Sequence, residues 1–315
     1  MDANPLGLNT SMSKEEQAAL QTGDTVPGSE KKCTPRRQVF GAALAAALVA
    51  TAVVLWIALS GRTDPEPLPP ACASGCSHLN HTLWTGVLTS HVRPSSASGI
   101  SYAGLDYEGV RNDARFRDYI QQIAEVDVSL LDDVERKALF INAYNALGVR
   151  LLLDECQGGL CNSIKDIGSH ISPVWGMPAG QIGGPGADHL YSLDNIEHDY
   201  LRATFPDARI HAAVNCASLS CPDLAPTAFE SWRLDVQLDA AAATWMANPS
   251  KGASLSGGTL SLSKIFDWYG DDFVNWAGGI ITFVKAHSVA GSSLSTMGEP
   301  SLAYFDYNWD VNNVS

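Results

Sequence analysis

Two cysteines in the second half of the chain are surrounded by residue types that can support thiol chemistry. Cys216 and Cys221 stand in a run of small residues, and His211 lies five positions before the first of them. A nucleophilic cysteine needs a base that generates the thiolate and a third group that orients that base. His211 is the nearest histidine, and His198 lies on a separate predicted helix. The pattern therefore indicates a candidate site at Cys216 with His198 or His211 as its base.

Polar residues on a predicted buried helix are candidates for orienting the histidine. Residues 135–153 are apolar on nearly every side, which is typical of a central helix, and an aspartate pair at 132–133 caps its start. Glu135, Asn142 and Asn145 lie roughly along one face of it, and buried polar groups must find hydrogen-bond partners. Glu197, Glu135, Asn142 or Asn145 can orient the imidazole. The alternative is that these groups tie down neighbouring loops.

The segment before Cys216 is predicted to be a buried strand over residues 210–214. Five residues of an extended strand span about 16 Å and alternate between its two faces. His211 can therefore reach Cys216 only if the chain folds back after Val214. His198 has no such restriction and is an equally good partner.

Disulfide formation is the main alternative to a reactive thiol. Six cysteines form three close pairs, which are Cys72/Cys76, Cys156/Cys161 and Cys216/Cys221. An even number of cysteines in an exported region indicates disulfides, and an oxidised Cys216 cannot act as a nucleophile. A further alternative is a thiol–disulfide redox pair at Cys216 and Cys221, although the spacing is not that of thioredoxins.

No metal or cofactor is predicted. The cysteine spacings differ from zinc templates, and no P-loop, dinucleotide fingerprint or serine-hydrolase elbow is present. The net charge of −14 argues against nucleic acid as a partner. A protein or small-molecule partner is left open.

The N-terminal third predicts a membrane anchor. Residues 1–38 are polar and read as a disordered cytosolic tail, and residues 39–60 contain no charged side chain. A helix of that length spans roughly 33 Å, the thickness of a hydrocarbon core. Basic residues precede the run, so positive-inside bias predicts a signal-anchor with the C-terminal domain lumenal or extracellular. A cleaved signal peptide is the alternative.

The remaining chain is predicted to be a proline-rich linker at 61–77 and a globular domain at 78–312. Asn80 and Asn313 begin glycosylation sequons. Helical patterns outnumber strand patterns. Helices are expected over residues 114–126, 194–205, 230–246 and 271–287, a hairpin over 255–262, and a closing strand over 302–309. The predicted fold class is α+β, a helix-rich globular domain with a buried central helix and a small antiparallel sheet, behind a single transmembrane helix.

Several segments in a fixed order resemble the domain of unknown function 547 family. They are residues 138–147 (ALFINAYNAL), 163–168 (SIKDIG), 192–198 (SLDNIEH), 209–211 with 216–218 and 221–222 (RIH, CAS, CP), 262–273 (LSKIFDWYGDDF) and 304–309 (YFDYNW). The resemblance covers roughly 78–312. The chain departs from the family pattern at Ser220, where glycine is usual, in an insertion that carries Cys156 and Cys161, and at residues 140–141.

The resemblance implies a compact α+β domain with no settled activity and a remote similarity to papain-like and transglutaminase-like cysteine enzymes. It supplies no list of catalytic residues. We therefore expect a membrane-anchored binding or structural module. The alternatives are a cysteine-dependent hydrolase or transferase and a redox pair. A cluster at Lys264, Trp268, Tyr269 and Asp272 is expected either in the core or in a cleft wall near Cys216.

Overall fold

The computed structural model describes residues 79–156, 159–169 and 171–315, which form nine α-helices and seven short strands. The α-helices are α1 (Thr82–His91), α2 (Tyr107–Asn112), α3 (Ala114–Glu125), α4 (Asp133–Glu155), α5 (Leu234–Ala247), α6 (Ile265–Trp268), α7 (Gly270–Ala277), α8 (Ile280–Ala286) and α9 (Ser293–Thr296). The strands are β1 (Val92–Ala97), β2 (Ile100–Leu105), β3 (Pro178–Gln181), β4 (Leu190–Ser192), β5 (Ala253–Ser256), β6 (Thr259–Leu262) and β7 (Ser301–Tyr304). A π-helix spans Asn195–Arg202, and short 3-10 helices connect several elements.

The central helix α4 organises the domain as its sequence indicates. The Asp132 side chain accepts hydrogen bonds from the backbone N–H groups of Val134 and Glu135, and the Glu135 side chain accepts one from the backbone of Asp132. This capping box satisfies backbone donors at the start of the helix. Every residue from 138 to 149 is buried, so the helix is surrounded by protein on all sides.

The strands form three small sheets among the described residues. β1 pairs with β2 and β3 pairs with β4, both antiparallel. β6 lies between β5, which is antiparallel to it, and β7, which is parallel. The predicted hairpin is confirmed as β5 and β6. The predicted closing strand is shorter, because only residues up to Tyr304 pair with β6, and the following segment turns toward Cys216.

Two hydrophobic clusters fill the interior. The larger one surrounds α4, and Tyr144 and Val214 belong to it. The smaller one packs α5, α7 and α8 around Phe266 and Phe273, and Ile265 belongs to it. Clefts form preferentially where two packed units meet. The junction between these two clusters is where the candidate site lies.

The predicted strand over residues 210–214 is wrong. The structure has a 3-10 helix, Ala208–Ala212, whose start is capped by the Asp207 side chain accepting from the backbone of Arg209. Residues 210–222 are all buried. A fully buried segment has no alternation of apolar and polar residues, so its pattern does not distinguish a strand from a helical turn. The aspartate cap and the alanines at 208, 212 and 213 favour the helical turn.

Two helix boundaries also differ from expectation. The helix expected from residue 271 begins at Gly270, as α7, directly after α6. The helix expected over 271–287 is two helices, because Gly278 adopts a left-handed φ of 75° and Gly279 a φ of 140°. Such angles are open to glycine and end α7 before α8 begins.

The predicted membrane anchor at residues 39–60 lies outside the described residues, as do the predicted tail and linker. Among the residues that the structure describes, no helix is long and apolar enough to cross a bilayer. The longest, α4, has 23 residues but carries charged side chains at both ends and Arg150 within it. This finding contradicts the predicted single-pass membrane class and the lumenal or extracellular localisation, and corrects the fold class to an α+β domain without a supported transmembrane helix.

Candidate functional site

A small cleft lies at the junction of the two hydrophobic clusters and contains both cysteines of the candidate site. It encloses about 50 Å³. Its lining consists of six aromatic residues (Tyr144, Trp175, Trp268, Tyr269, Tyr307 and Trp309), two carboxylates (Asp194 and Glu197), two histidines (His198 and His211), Cys216, Cys221, Val214 and Ile265. The structure therefore brings Cys216, His198 and His211 together, together with Glu197.

The loop that carries the cysteines is held by the C-terminal segment. The backbone N–H of Leu219 donates to the carbonyl of Asp310, and that of Asn312 donates to Ala217. Ala217 has a left-handed φ of 63°, which costs a non-glycine residue free energy and persists only where the surroundings fix it. Ser220, the departure from the family pattern, accepts a hydrogen bond from the backbone of Asn308 at 2.9 Å and so joins this pairing.

Cys216 and Cys221 form a disulfide whose sulfurs are surrounded by hydrogen-bond donors. The backbone N–H of Cys216 donates to Cys221 Sγ at 3.0 Å, and the Tyr307 hydroxyl donates to the same sulfur at 3.3 Å. Ser218 Oγ lies 3.2 Å from Cys216 Sγ and donates to the Tyr307 hydroxyl. Burial raises the pKa of Tyr307, so its hydroxyl stays protonated and remains a donor.

The π-helix positions two groups of the cleft and an arginine that contacts one of them. Glu197 and His198 line the cleft, and Arg202 completes the same helix. π-helical turns are rare and occur frequently at functional sites. Sequence patterns do not reveal them, because a π-helix differs from an α-helix only in its hydrogen-bond spacing. The predicted helix is thus present, but its geometry was not foreseen.

His211 is fixed between two carboxylates. Its Nε2 lies 2.7 Å from Asp272 Oδ2, its Nδ1 lies 3.8 Å from Glu197 Oε1, and its ring stacks on Tyr269 at 4.3 Å between centroids. Asp272 also accepts two hydrogen bonds from Arg202. Burial alone would raise the pKa of Asp272, but the hydrogen bonds from His211 and Arg202 outweigh it and hold that pKa well below its usual range.

His198 has a defined tautomer. Its Nδ1 lies 2.7 Å from an Arg202 nitrogen, and a guanidinium can only donate, so Nδ1 accepts and the neutral ring carries its proton on Nε2. That Nε2 lies 3.8 Å from Asp194 Oδ1. Burial raises the pKa of Asp194 to about 6, with His198 opposing the rise and Glu197 and Asp199 adding to it.

Two tyrosines face the Glu197 carboxylate. Burial, and then the negative charge of Glu197, raise the pKa of Tyr144 well above its ordinary value. The same two causes raise the pKa of Tyr269, and the Arg202 guanidinium, which lies 4.7 Å from the Tyr269 ring centroid, opposes the rise. Both hydroxyls therefore stay protonated and can donate to Glu197.

Four of the lining residues, Trp175, Trp268, Tyr307 and Trp309, form an aromatic wall. The Tyr307 and Trp309 rings are 4.4 Å apart, and Trp268 lies 4.8 Å from Tyr307. Trp175 lies 5.8 Å from Trp309. The aromatic wall presents ring surface to the space above the disulfide.

The other predicted site residues have partners away from the cysteines. Glu135 belongs to the capping box at the start of α4 and does not line the cleft. Asn142 is fully buried, donates to the carbonyl of Phe229 at 2.7 Å and accepts from its N–H at 2.9 Å. Asn145 bridges the backbones of Ala213 and Asn215. The asparagines therefore fix loops, the alternative that the sequence left open.

The predicted polar-aromatic cluster divides in the structure. Trp268 and Tyr269 line the cleft with Cys216, and Asp272 reaches it through His211. Lys264 instead pairs with Asp267 at 2.9 Å on the surface.

The remaining sequence predictions fall on the periphery. The structure joins Cys156 to Cys161 in a second disulfide, and Cys72 and Cys76 lie outside the described residues. Asn80 and Asn313 are exposed, and their glycosylation stays a prediction. Among the described residues, no group of three or more His, Cys, Asp or Glu side chains is arranged to hold a metal ion.

Several groups of the cleft were not predicted from the sequence. The sequence pattern predicts Tyr307 only as part of a strand and singles out neither Asp194, Arg202 nor Trp175 as a site residue. Their residue types do indicate a ligand site, because such sites are lined by aromatic side chains with a few polar or charged groups. Only the fold shows that segments far apart in the chain meet.

Comparison with known protein families identifies the central part of the chain. Residues 128–246 match the family model described as protein of unknown function, DUF547. This finding confirms the resemblance. The DUF547 match contains α4, the π-helix and the loop of Cys216 and Cys221, but not Asp272 or Tyr307. It is narrower than the range of 78–312 over which the resemblance was drawn. No curated protein and no solved structure gives a match.

Proposed function

We propose that the domain is a binding module whose cleft takes the cationic head group of a small organic molecule. The observation that carries the proposal is the pairing of two carboxylates, Asp194 and Glu197, with the aromatic wall in one small cleft. Carboxylates attract an ammonium group by charge, and ring faces attract it through their quadrupoles.

The charges of the cleft support a cationic ligand. The guanidinium of Arg202 is held by Asp272 through two hydrogen bonds and by His198, so its charge is already balanced. The basic groups nearest to Asp194 and Glu197 are imidazoles, each at 3.8 Å. The lining of the cleft therefore contains two carboxylates and neither a lysine nor an arginine, so its fixed charge is negative. A bound cation would offset that charge and the repulsion between the two carboxylates.

The aromatic wall supports an apolar shell around the charge. Trp175, Trp268 and Trp309 are each partly exposed, and the Trp309 ring already contacts one cation, because Lys165 Nζ lies 5.0 Å from its centroid. A ring face over a desolvated cation contributes roughly 0.5–2 kcal/mol. A cleft of about 50 Å³ suits a head group better than a whole large ligand.

The first test measures binding of choline to the full chain by calorimetry. Choline is expected to bind, and its neutral dimethylbutanol isostere, in which carbon replaces the nitrogen, is expected to bind at least about tenfold more weakly. Glu197→Gln should weaken choline binding by about tenfold or more. Glu299→Gln, the same change at an exposed residue outside the cleft, should leave it unaltered. Equal binding of choline and its isostere, or binding of neither, would contradict the proposal.

The same titration repeated against pH tests the role of Asp194. Because the pKa of Asp194 is raised to about 6, its carboxyl is charged above that pH and neutral below it. Choline binding should therefore weaken as the pH falls through about 6. The groups near Asp194 are His198, whose Nε2 lies 3.8 Å from its Oδ1, and the carboxylates Glu197 and Asp199. Asp194→Asn should remove most of the change, and an unchanged pH profile would exclude Asp194.

A cysteine-dependent hydrolase or transferase is the second candidate, supported by Cys216, His198 and His211 lining the same cleft. Both nitrogens of His211 face carboxylates, and His198 carries its proton on Nε2, so His198 can serve as the base only after its Nδ1 is released from Arg202. The disulfide must first be reduced, since only a thiolate attacks. Reduced protein should release one equivalent of chromophore from an activated ester in a burst that Cys216→Ser abolishes. A reduced protein without a burst argues against this candidate.

A further inference from the structure

The geometry points to the Cys216–Cys221 disulfide as a thiol-exchange site, in which an incoming thiol attacks Cys216 and Cys221 leaves as the stabilised thiolate. Exchange at this bond does not depend on whether the cleft also binds a cation. The co-reactant is a thiol reductant.

Each sulfur has two polar neighbours among the described residues, but only Cys221 Sγ has a backbone N–H donor. Ser218 Oγ lies 3.2 Å and the Tyr307 hydroxyl 3.4 Å from Cys216 Sγ. Cys221 Sγ accepts from the backbone N–H of Cys216 at 3.0 Å and from the Tyr307 hydroxyl at 3.3 Å. Ser218 donates to the Tyr307 oxygen at 3.2 Å, which polarises that hydroxyl toward the sulfur. A disulfide sulfur is a weak acceptor, whereas a thiolate is a strong one. These donors therefore match the charge that Cys221 acquires when the bond breaks.

Access to the bond is also unequal. Cys216 is 9% exposed and Cys221 is 3% exposed, and both line the cleft. An attacking thiolate must approach along the axis of the bond, and the sulfur that is more open is the one attacked. In thiol–disulfide exchange, the sulfur with the better-stabilised thiolate leaves faster. Access and stabilisation thus assign the same roles to the two cysteines.

The exchange step is balanced. The reductant's thiolate forms a sulfur–sulfur bond to Cys216 as the Cys216–Cys221 bond breaks, and its electron pair goes to Cys221. A second thiol of the reductant then attacks the mixed disulfide at the reductant's own sulfur. Cys216 is released as a thiolate that takes up a proton from water. Two electrons pass from the two thiols of the reductant, which becomes a disulfide, to the protein.

The second disulfide of the described residues is a control within the same molecule. Cys156 and Cys161 are also separated by five positions, but no hydroxyl or backbone donor to either sulfur is seen among the described residues. The loops have equal length, and Cys161 is more exposed than either cysteine of the cleft, so a faster reduction of Cys216–Cys221 must come from the donors and not from access.

The test is the rate of reduction of each disulfide in the full chain by dithiothreitol, followed by alkylation and peptide mass mapping. The Cys216–Cys221 bond is expected to be reduced faster than Cys156–Cys161. Tyr307→Phe, which removes only the hydroxyl, should slow the first about five- to tenfold and leave the second unchanged. Tyr304→Phe, three positions earlier in the chain, should alter neither rate. Glutathione trapped in acid should be found on Cys216.

Three results would overturn the assignment. They are a Cys216–Cys221 bond reduced no faster than Cys156–Cys161, an unchanged rate in Tyr307→Phe, and glutathione trapped on Cys221 instead of Cys216. Either of the first two results would show that the disulfide only holds the loop together and that its donors do not stabilise the leaving thiolate. The third would reverse the roles of the two sulfurs.

Discussion

Lys251→Met is expected to destabilise the domain by about 3–5 kcal/mol, the range found when one partner of a buried ion pair is removed. The side chain of Lys251 is 2% exposed. Its Nζ donates to the carboxylate of Asp223 and the carbonyl of Cys221, each at 2.6 Å, and to the carbonyl of Leu219 at 3.3 Å. Methionine fills the same space but removes the lysine donor from the carboxylate and the two carbonyls, and leaves Asp223 with only the backbone N–H of Ala103 as a donor among the described residues.

The measurement is denaturant unfolding of the wild-type protein and the variant. The midpoints are compared only if the free energy of unfolding falls with denaturant at the same slope in both. Lys264→Met is the matched control, because Lys264 pairs with Asp267 at 2.9 Å where both side chains are more than a third exposed. Exposed pairs contribute about 0–1 kcal/mol, so the control should lose little. A loss below about 1 kcal/mol in Lys251→Met would show that the loop of Cys216 and Cys221 does not depend on this lysine.

Asp272→Asn is expected to cost about 2–4 kcal/mol, because the amide cannot accept from both His211 and Arg202 as the carboxylate does. The His211 side chain is 2% exposed and the Asp272 side chain 25%. His211 stacks on Tyr269, and Arg202 lies over the same ring. Loss of the carboxylate therefore leaves two donors unpaired and removes the contact that fixes the cleft imidazole.

The stabilisation by the Asp272 carboxylate should depend on pH in a defined direction. The pKa of Asp272 is lowered in the folded state from an ordinary value of 3.8, so the carboxylate stabilises the fold above that pH. The stabilisation is lost as the pH falls below it. The difference between the two proteins should therefore be full at neutral pH and shrink below about pH 4. Asp267→Asn, in the exposed pair, is the control. If the difference in unfolding free energy between the two proteins does not change with pH, the charge of the Asp272 carboxylate is not the source of the stabilisation.

Local signals in the sequence were sufficient for the elements with strong periodicity or caps. α4 follows from its Asp132 cap and its apolar length, and the β5–β6 hairpin follows from its glycine pair. These features depend on residues within one turn of helix or one hairpin. The sequence likewise indicated that Asn142 and Asn145 must be hydrogen bonded, and the structure supplies their partners.

The cleft depends on long-range packing and was only partly predictable. An extended strand would hold His211 far from Cys216. The 3-10 helix Ala208–Ala212 shortens that distance, because the chain is not extended there. Asp272 and Tyr307 are 61 and 91 positions from the residues they contact, His211 and Cys216. The residue types indicate which chemistry is available. A local sequence pattern does not predict which distant side chains line the same cleft.

By itself, the sequence determined the residue types of a thiol site, the identity of the central helix and the resemblance to DUF547. The tertiary structure decided that Cys216 and Cys221 are bonded, that Tyr307 donates to their sulfurs, and that the imidazoles face carboxylates. The physical reason is the range of each interaction. Caps and periodicity act over a few residues, whereas the protonation and pairing of a cleft group depend on charges and donors brought from the whole chain.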